Sequence, residues 1–266
     1  MTANEFAPEF RRAIMNLTDA ARYLAISQQT FHRWARGYPR GEPLLHLADR
    51  PSDSDAFSDV SGGKVVGTVK PRHPVDGVGG SAKSDSNRAR LTGRRVASVS
   101  FITLTEAYVL EALRTAGVQV RKIRPALSVL QREFGTEYAL TAPNLATDGI
   151  DVLWDFSKTP GGRGLIEART GQTVIRAIVE DYLTYISRED NGQPTRLRLQ
   201  SCEPSKVIVD PQYGFGQPRF GASGARMIDV AAMLKAGETA ETVADEFGIS
   251  VHDVGTAARI LLGRAA

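Results

Sequence analysis

Residues 16–36, NLTDAARYLAISQQTFHRWAR, decide how this chain is read. Leu17, Ala20, Ala21 and Leu24 recur at helical spacing behind Thr18 as a cap, and Ile26 and Ser27 then make a turn. Ser27 can cap a second helix that turns Phe31, Trp34 and Ala35 inward. The opposite face carries Gln29, Arg33 and Arg36 at i, i+4 and i+7, with His32 beside them and Gln28 and Thr30 in the first turn. Amides and guanidinium groups on one helical face match the hydrogen-bonding edges of bases and the phosphates flanking them. No acid lies between Ser27 and Arg40, so nothing in the second helix repels a nucleic-acid backbone. The stretch therefore reads as a helix-turn-helix that inserts residues 28–36 into a major groove. The plainer alternative is an amphipathic helix pair with a solvated polar face.

The surrounding chain sets bounds on that reading. At 266 residues it is long enough for about two domains, and 42% hydrophobic with 24% charged residues is ordinary for a globular protein. The net charge is only +3, but residues 1–100 hold 15 Lys+Arg against 10 Asp+Glu, whereas residues 201–266 hold 6 against 8. Such polarity suggests that DNA contact and protein contact are divided between the two ends. Cys202 is alone, which excludes an intramolecular disulfide and a cysteine-based zinc site. The start has no apolar leader and no later segment could span a bilayer, so a cytoplasmic protein without membrane contact is expected.

Downstream of Arg36, residues 43–48 are expected to form one strand of a wing and residues 96–102, VASVSFI, the returning strand. Between them, residues 51–95 carry seven Gly, seven Ser and three Pro and read as a flexible insertion. It ends in a basic run that includes Arg94 and Arg95, candidates for phosphate contact. Thr103 and Glu106 fit a capping box for a helix burying Leu104, Ala107, Tyr108 and Leu110. A further helix buries Val120, Ile123, Leu127 and Leu130, with a kink or late start at Pro125 and an end at Gly135. In the middle, IDVLWDF (150–156) reads as a strand, GLIEA (164–168) as its partner, residues 171–187 as a helix capped by Thr170, and TRLRLQ (195–200) as a strand after an Asn191–Gly192 turn. Three short helices close the chain, the second spanning Thr239 to Phe247 and the last capped by Ser250 with Asp253, in the rhythm of a second helix-turn-helix. Residues 227–266 hold six acids against three Lys+Arg, which makes that copy a poor DNA reader and a better protein-binding module.

Catalytic signatures are missing. The four histidines (His32, His46, His73, His252) have no partner at metal-ligand spacing, and GFGQPRFG (214–221) and PGGRG (160–164) lack the features of phosphate loops. Neither an enzyme nor a cofactor is expected.

Two stretches carry a family resemblance. NLTDAARYLAISQQTFHRWARG followed by FITLTEAYVLEALRTAGVQVRKIRPAL, with Gly117 leading to Ile123-Arg124, resembles the MerR-like winged-helix arrangement. The tail resembles an antitoxin-associated module through Asp210-Pro211, Gly216-Gln217-Pro218, Gly224-Ala225-Arg226, Lys235-Ala236-Gly237 and Phe247-Gly248-Ile249. Together they resemble a VapB-type antitoxin of the larger kind. The fold this implies is α+β and mostly helical. A winged helix-turn-helix domain occupies residues 1–140 with its insertion at 51–95, a small α+β unit residues 141–205, and a three-helix interaction module residues 206–266. The resemblance also implies a homodimer that binds operator DNA, represses its own promoter and neutralises a PIN-like ribonuclease toxin. Such toxins hold a divalent metal with clustered acids, so Arg219 and Arg226 are the candidate toxin-binding residues. The alternative is a free-standing MerR-like regulator that senses a small ligand near Trp154 and Phe156.

Overall fold

The computed structural model describes residues 6–38, 41–48, 98–167 and 170–263. A one-turn helix, α1 (Pro8–Arg11), leads into strand β1 (Ala13–Met15), which the sequence reading did not anticipate. Helix α2 (Leu17–Tyr23) follows, capped by Asn16, whose side chain accepts the Asp19 amide at 2.9 Å. Thr18 is already inside the first turn and buried. Helix α3 (Gln28–Arg36) starts from Ser27 as expected.

The wing strands are largely replaced by other structure. Residues 43–48 form no strand: Leu44 and Leu45 are both buried, which alternation cannot achieve, and both amides donate to the Trp34 carbonyl. Among the described residues of the returning segment, Val99–Ser100 form β2, paired antiparallel with β1 through Ala13–Ser100 and Met15–Val99. Helix α4 (Phe101–Thr115) begins one turn earlier than Thr103 predicts, because Ser100 and Thr103 form the capping box. The readings placed on residues 51–95, with Arg94 and Arg95, lie outside the described residues.

Helix α4 is the hub of the core; every residue from Phe101 to Leu110 is buried. Helix α5 (Arg124–Phe134) starts late, with Pro125 in its first turn where a missing amide costs nothing, and stops at Gly135 with φ 63°. The expected strand at IDVLWDF is instead helix α6 (Ile150–Ser157), which buries Ile150 and Leu153 three residues apart and packs on α5. Among the described residues of GLIEA, Ile166 forms an isolated antiparallel bridge with Val118. Helix α7 (Gln172–Leu183) packs along α4 and ends four residues early. It has no side-chain cap, and Ile186 enters a strand instead.

The second sheet has four antiparallel strands in sequential order: β3 (Ile186–Arg188), β4 (Pro194–Arg198), β5 (Val207–Val209) and β6 (Arg219–Phe220). Three helices finish the chain as expected, α8 (Met227–Ala236), α9 (Ala240–Phe247) and α10 (Val251–Ala257). Thr239 caps α9 and a Ser250–Asp253 capping box opens α10. A continuous apolar cluster runs from Phe6 to Ile260, so α2, the four-stranded sheet and the last helices share one core.

Candidate functional site

Helices α2 and α3 pack closely because Ala20 and Ala21, both fully buried, let the backbones approach. The turn between them holds Ala25 at φ 55°, and the Ile26 amide reaches back to the Ala21 carbonyl at 2.9 Å. Phe31 and Trp34 are fully buried and Ala35 nearly so, which fixes the rotation of α3 about its axis. That rotation leaves Gln28, Gln29, Arg33 and Arg36 exposed, with Thr30 and His32 half-buried at the rim. Among the described residues, neither Arg33 nor Arg36 has a carboxylate in ion-pair range. The C-terminus of α3 is clamped by residues 41–48. Gly37, at φ 89°, allows the tight reversal, and a Cβ there would collide with the Gly41 carbonyl oxygen.

The trailing helix pair repeats the shape with different chemistry. Gly248 at φ 60° makes the turn between α9 and α10, while Val243, Ala244 and Val254 face inward. Outward lie Glu241, Asp245, Glu246, Val251 and His252. Val251, an apolar residue, is half exposed. Arg259 is tied to the chain through the Ser201 carbonyl at 3.0 Å.

The two arginines anticipated for toxin contact differ. Arg226 is exposed and locked in a two-point pair with Asp229, at 2.6 and 3.0 Å. Arg219 is mostly covered; its guanidinium lies 5.0 Å from the Tyr213 ring and 3.8 Å from buried Asp210, and its Nε has no hydrogen-bond partner among the described residues. An antiparallel bridge between residues 219 and 226 brings the two backbones together. Sequence reasoning missed the neighbouring loop, 211–217, where Tyr213 and Phe215 are exposed. Phe215 adopts φ 57°, a left-handed conformation that costs a bulky side chain roughly 1–3 kcal/mol. The available signal was an aromatic residue between two glycines, closed off by prolines.

Trp154 and Phe156 lie half-buried on α6 against the core, with Lys158 over the Trp154 ring. Among the described residues there is no cluster of acids, histidines and cysteines able to hold a metal, and no helix is long and apolar enough to cross a membrane.

Comparison with known proteins adds three findings. A family profile described as "Putative DNA-binding HTH domain" matches residues 85–127. That match spans β2, α4 and the start of α5, and it does not include α2 and α3. Within it, Arg121 and Lys122 are exposed between α4 and α5. A crystal structure titled as that of Rv2018 from Mycobacterium tuberculosis superposes with a TM-score of 0.64 at 32% identity, covering 93% of this chain and 98% of that one. A protein named "Putative antitoxin VapB45", from Mycobacterium tuberculosis strain H37Rv, is 36% identical over 254 residues, 92% of each chain. With similarity of that extent along both full lengths, this chain belongs to the VapB45 antitoxin family.

Proposed function

We propose that this chain is the antitoxin of a type II toxin–antitoxin module. It binds a PIN-like ribonuclease toxin directly and, as a homodimer in the cytoplasm, represses the promoter of both genes. The observation that carries the DNA-binding half is the outward face of α3. Gln28, Gln29, Thr30, His32, Arg33 and Arg36 sit on a helix whose orientation is fixed by Phe31 and Trp34, with no acid on the same helix. Arginine and glutamine on such a face suit guanine and adenine edges and the flanking phosphates.

The division of labour follows the sequence: residues 1–140 for DNA, residues 141–205 as the small α+β unit and residues 206–266 for the toxin. The acidic outward surface of α9 and α10 supports this, since it would repel a duplex. In the tail, Arg219 and Arg226 are the candidate guanidinium groups to meet the acids of a PIN-like active site, Arg226 by exchanging its Asp229 partner for them. The test is to co-express the chain with its genomic neighbour. Rescue of growth, stoichiometric co-purification and a mobility shift on upstream DNA are expected. An unretained neighbour and an unshifted promoter fragment would defeat the proposal. Undiminished inhibition by Arg226→Ala would remove that residue from it.

A further inference from the structure

We infer that the loop 211–217 is the centre of the protein-binding surface. Phe215 and Tyr213 form an aromatic knob that enters an apolar slot on an acidic protein, and Arg12 and Arg219 flank it. The inference rests on the reading of the chain as an antitoxin and names the segment that grips the toxin.

Three observations carry it. First, Phe215 is 73% exposed and Tyr213 53%, two residues apart on one loop, so a large apolar area faces solvent. Second, the loop is built rather than loose. The buried carboxylate of Asp210 receives the Gln212 amide at 3.0 Å and Arg196 Nε at 2.6 Å, Gln217 donates to the Ile14 carbonyl at 2.5 Å, and Pro211 and Pro218 are buried at its two ends. Gly214, Phe215 and Gly216 all have positive φ, and a Cβ at Gly216 would meet Ile14 at 2.7 Å. Phe215 is left-handed and largely in solvent, with the Arg12 guanidinium over its ring, so packing within its own chain returns little of the strain and a partner would return more. Third, cations outnumber acids beside the knob, with Arg12 and Arg219 against Glu9. Arg12 lies 5.6 Å from the Phe215 ring and Arg219 5.0 Å from the Tyr213 ring, while Asp210 is already neutralised by arginines. A cleft of about 510 Å³ opens next to Phe215, lined also by Glu9, Ile14 and Pro211, where a partner side chain fits.

Exposed, rigid aromatics with arginines are the composition of interaction hot spots. Single-stranded nucleic acid also uses aromatics and arginine, but it needs an open ring face for stacking. Here Arg12 lies over Phe215 and Glu9 stands beside it, which favours a protein.

The experiment uses the full chain co-expressed with the product of its neighbouring gene, comparing wild type with Phe215→Ala and Phe215→Gly. Expected is a loss of affinity of about 30-fold, about 2 kcal/mol, in both variants, with the operator mobility shift unchanged. The glycine variant should also melt about 2 °C higher, because the left-handed strain is relieved. Binding within threefold of wild type by both variants overturns the inference and leaves the antitoxin reading standing. A wild-type chain that fails to retain the neighbour removes the antitoxin reading and this inference with it. Loss of operator or single-stranded RNA binding in the variants, with toxin binding intact, also overturns it.

Discussion

His46 Nδ1 lies 2.7 Å from Oε1 of Glu106, and the His46 amide donates to the other carboxylate oxygen at 3.1 Å. Glu106 is 1% exposed in the middle of the central helix, while His46 sits in the irregular segment that clamps the end of α3. Thr103 completes the anchor by donating its hydroxyl to the His46 carbonyl. One buried carboxylate therefore links the core of the protein to the helix proposed to read DNA.

That pair makes stability depend on pH. The hydrogen bond to Glu106 raises the His46 pKa above its usual 6.5, aided by Glu137 and opposed by burial and by Arg124. Burial raises the Glu106 pKa above 4.5 against the opposing pull of His46. Both folded values lie above the unfolded ones, so both groups stabilise most at low pH. The His46 contribution is complete below pH 6.5 and is lost as pH rises through its folded value. Because the imidazole is 36% exposed, the loss should be no more than about 1 kcal/mol. Thermal melts from pH 6 to pH 8 should show a fall in Tm that the double variant His46→Ala/Glu106→Gln flattens, since His46→Ala alone leaves a buried carboxyl that still titrates; an unchanged slope in the double variant would show that the pair is not its source.

The two faces of α3 should respond in opposite ways. Trp34 is fully buried, so Trp34→Ala should cost about 3–5 kcal/mol in urea unfolding. Arg33→Ala and Arg36→Ala should leave stability within about 0.5 kcal/mol. Each should weaken operator binding and reduce the slope of log K against log salt by about 1. A salt slope that neither variant alters would move the phosphate contacts elsewhere, with exposed Arg121 and Lys122 the next residues to test.

Gly37→Ala should destabilise by about 1–3 kcal/mol. The residue is left-handed at φ 89°, and its new methyl would collide with the Gly41 carbonyl, which cannot swing away as a side chain could. Hydrogen exchange should show the Leu44 and Leu45 amides losing protection first, since both bond to Trp34 in the segment that must move. Protection retained at both amides would mean that the reversal tolerates a side chain.

What the sequence conveyed and what it withheld divide by the range of the interactions. Ser27, Thr239, Ser250 and Gly135 are local signals, each bonding or turning within a few residues, and the helices they bound were recovered. IDVLWDF reads as a strand but folds as a helix, because Ile150, Val152, Trp154 and Phe156 alternate as strand residues do. Their burial is decided by α5 and α7, and seven residues are too few for periodicity to settle it. The wing strands were lost for a similar reason, since Leu44 and Leu45 answer to the Trp34 carbonyl rather than to a neighbouring strand. On the candidate site, the pattern of α3 fixed which side chains face out. The His46–Glu106 link spans 60 residues and leaves no local trace; the 211–217 loop shows its glycines and prolines, but its anchoring on Ile14 through Gly216 and Gln217, about 200 residues away, does not show.

Asp210 supplies the last test, because a single carboxylate organises the exposed aromatic loop. It is 1% exposed and serves Arg196, Arg219 and the Gln212 amide together. Asp210→Ala leaves the Gln212 amide unsatisfied and the mostly covered Arg219 without its counter-charge, which should cost about 1–3 kcal/mol. Arg196 is half exposed and can turn to water, so it adds little. Asp210→Asn keeps an acceptor for Gln212 but forfeits the charge, and should fall between alanine and wild type. Toxin affinity should decline in the same order, because the loop then samples conformations that no longer present Phe215. Equal melting temperatures for all three proteins would mean that the prolines and the Gln217–Ile14 bond hold the loop by themselves.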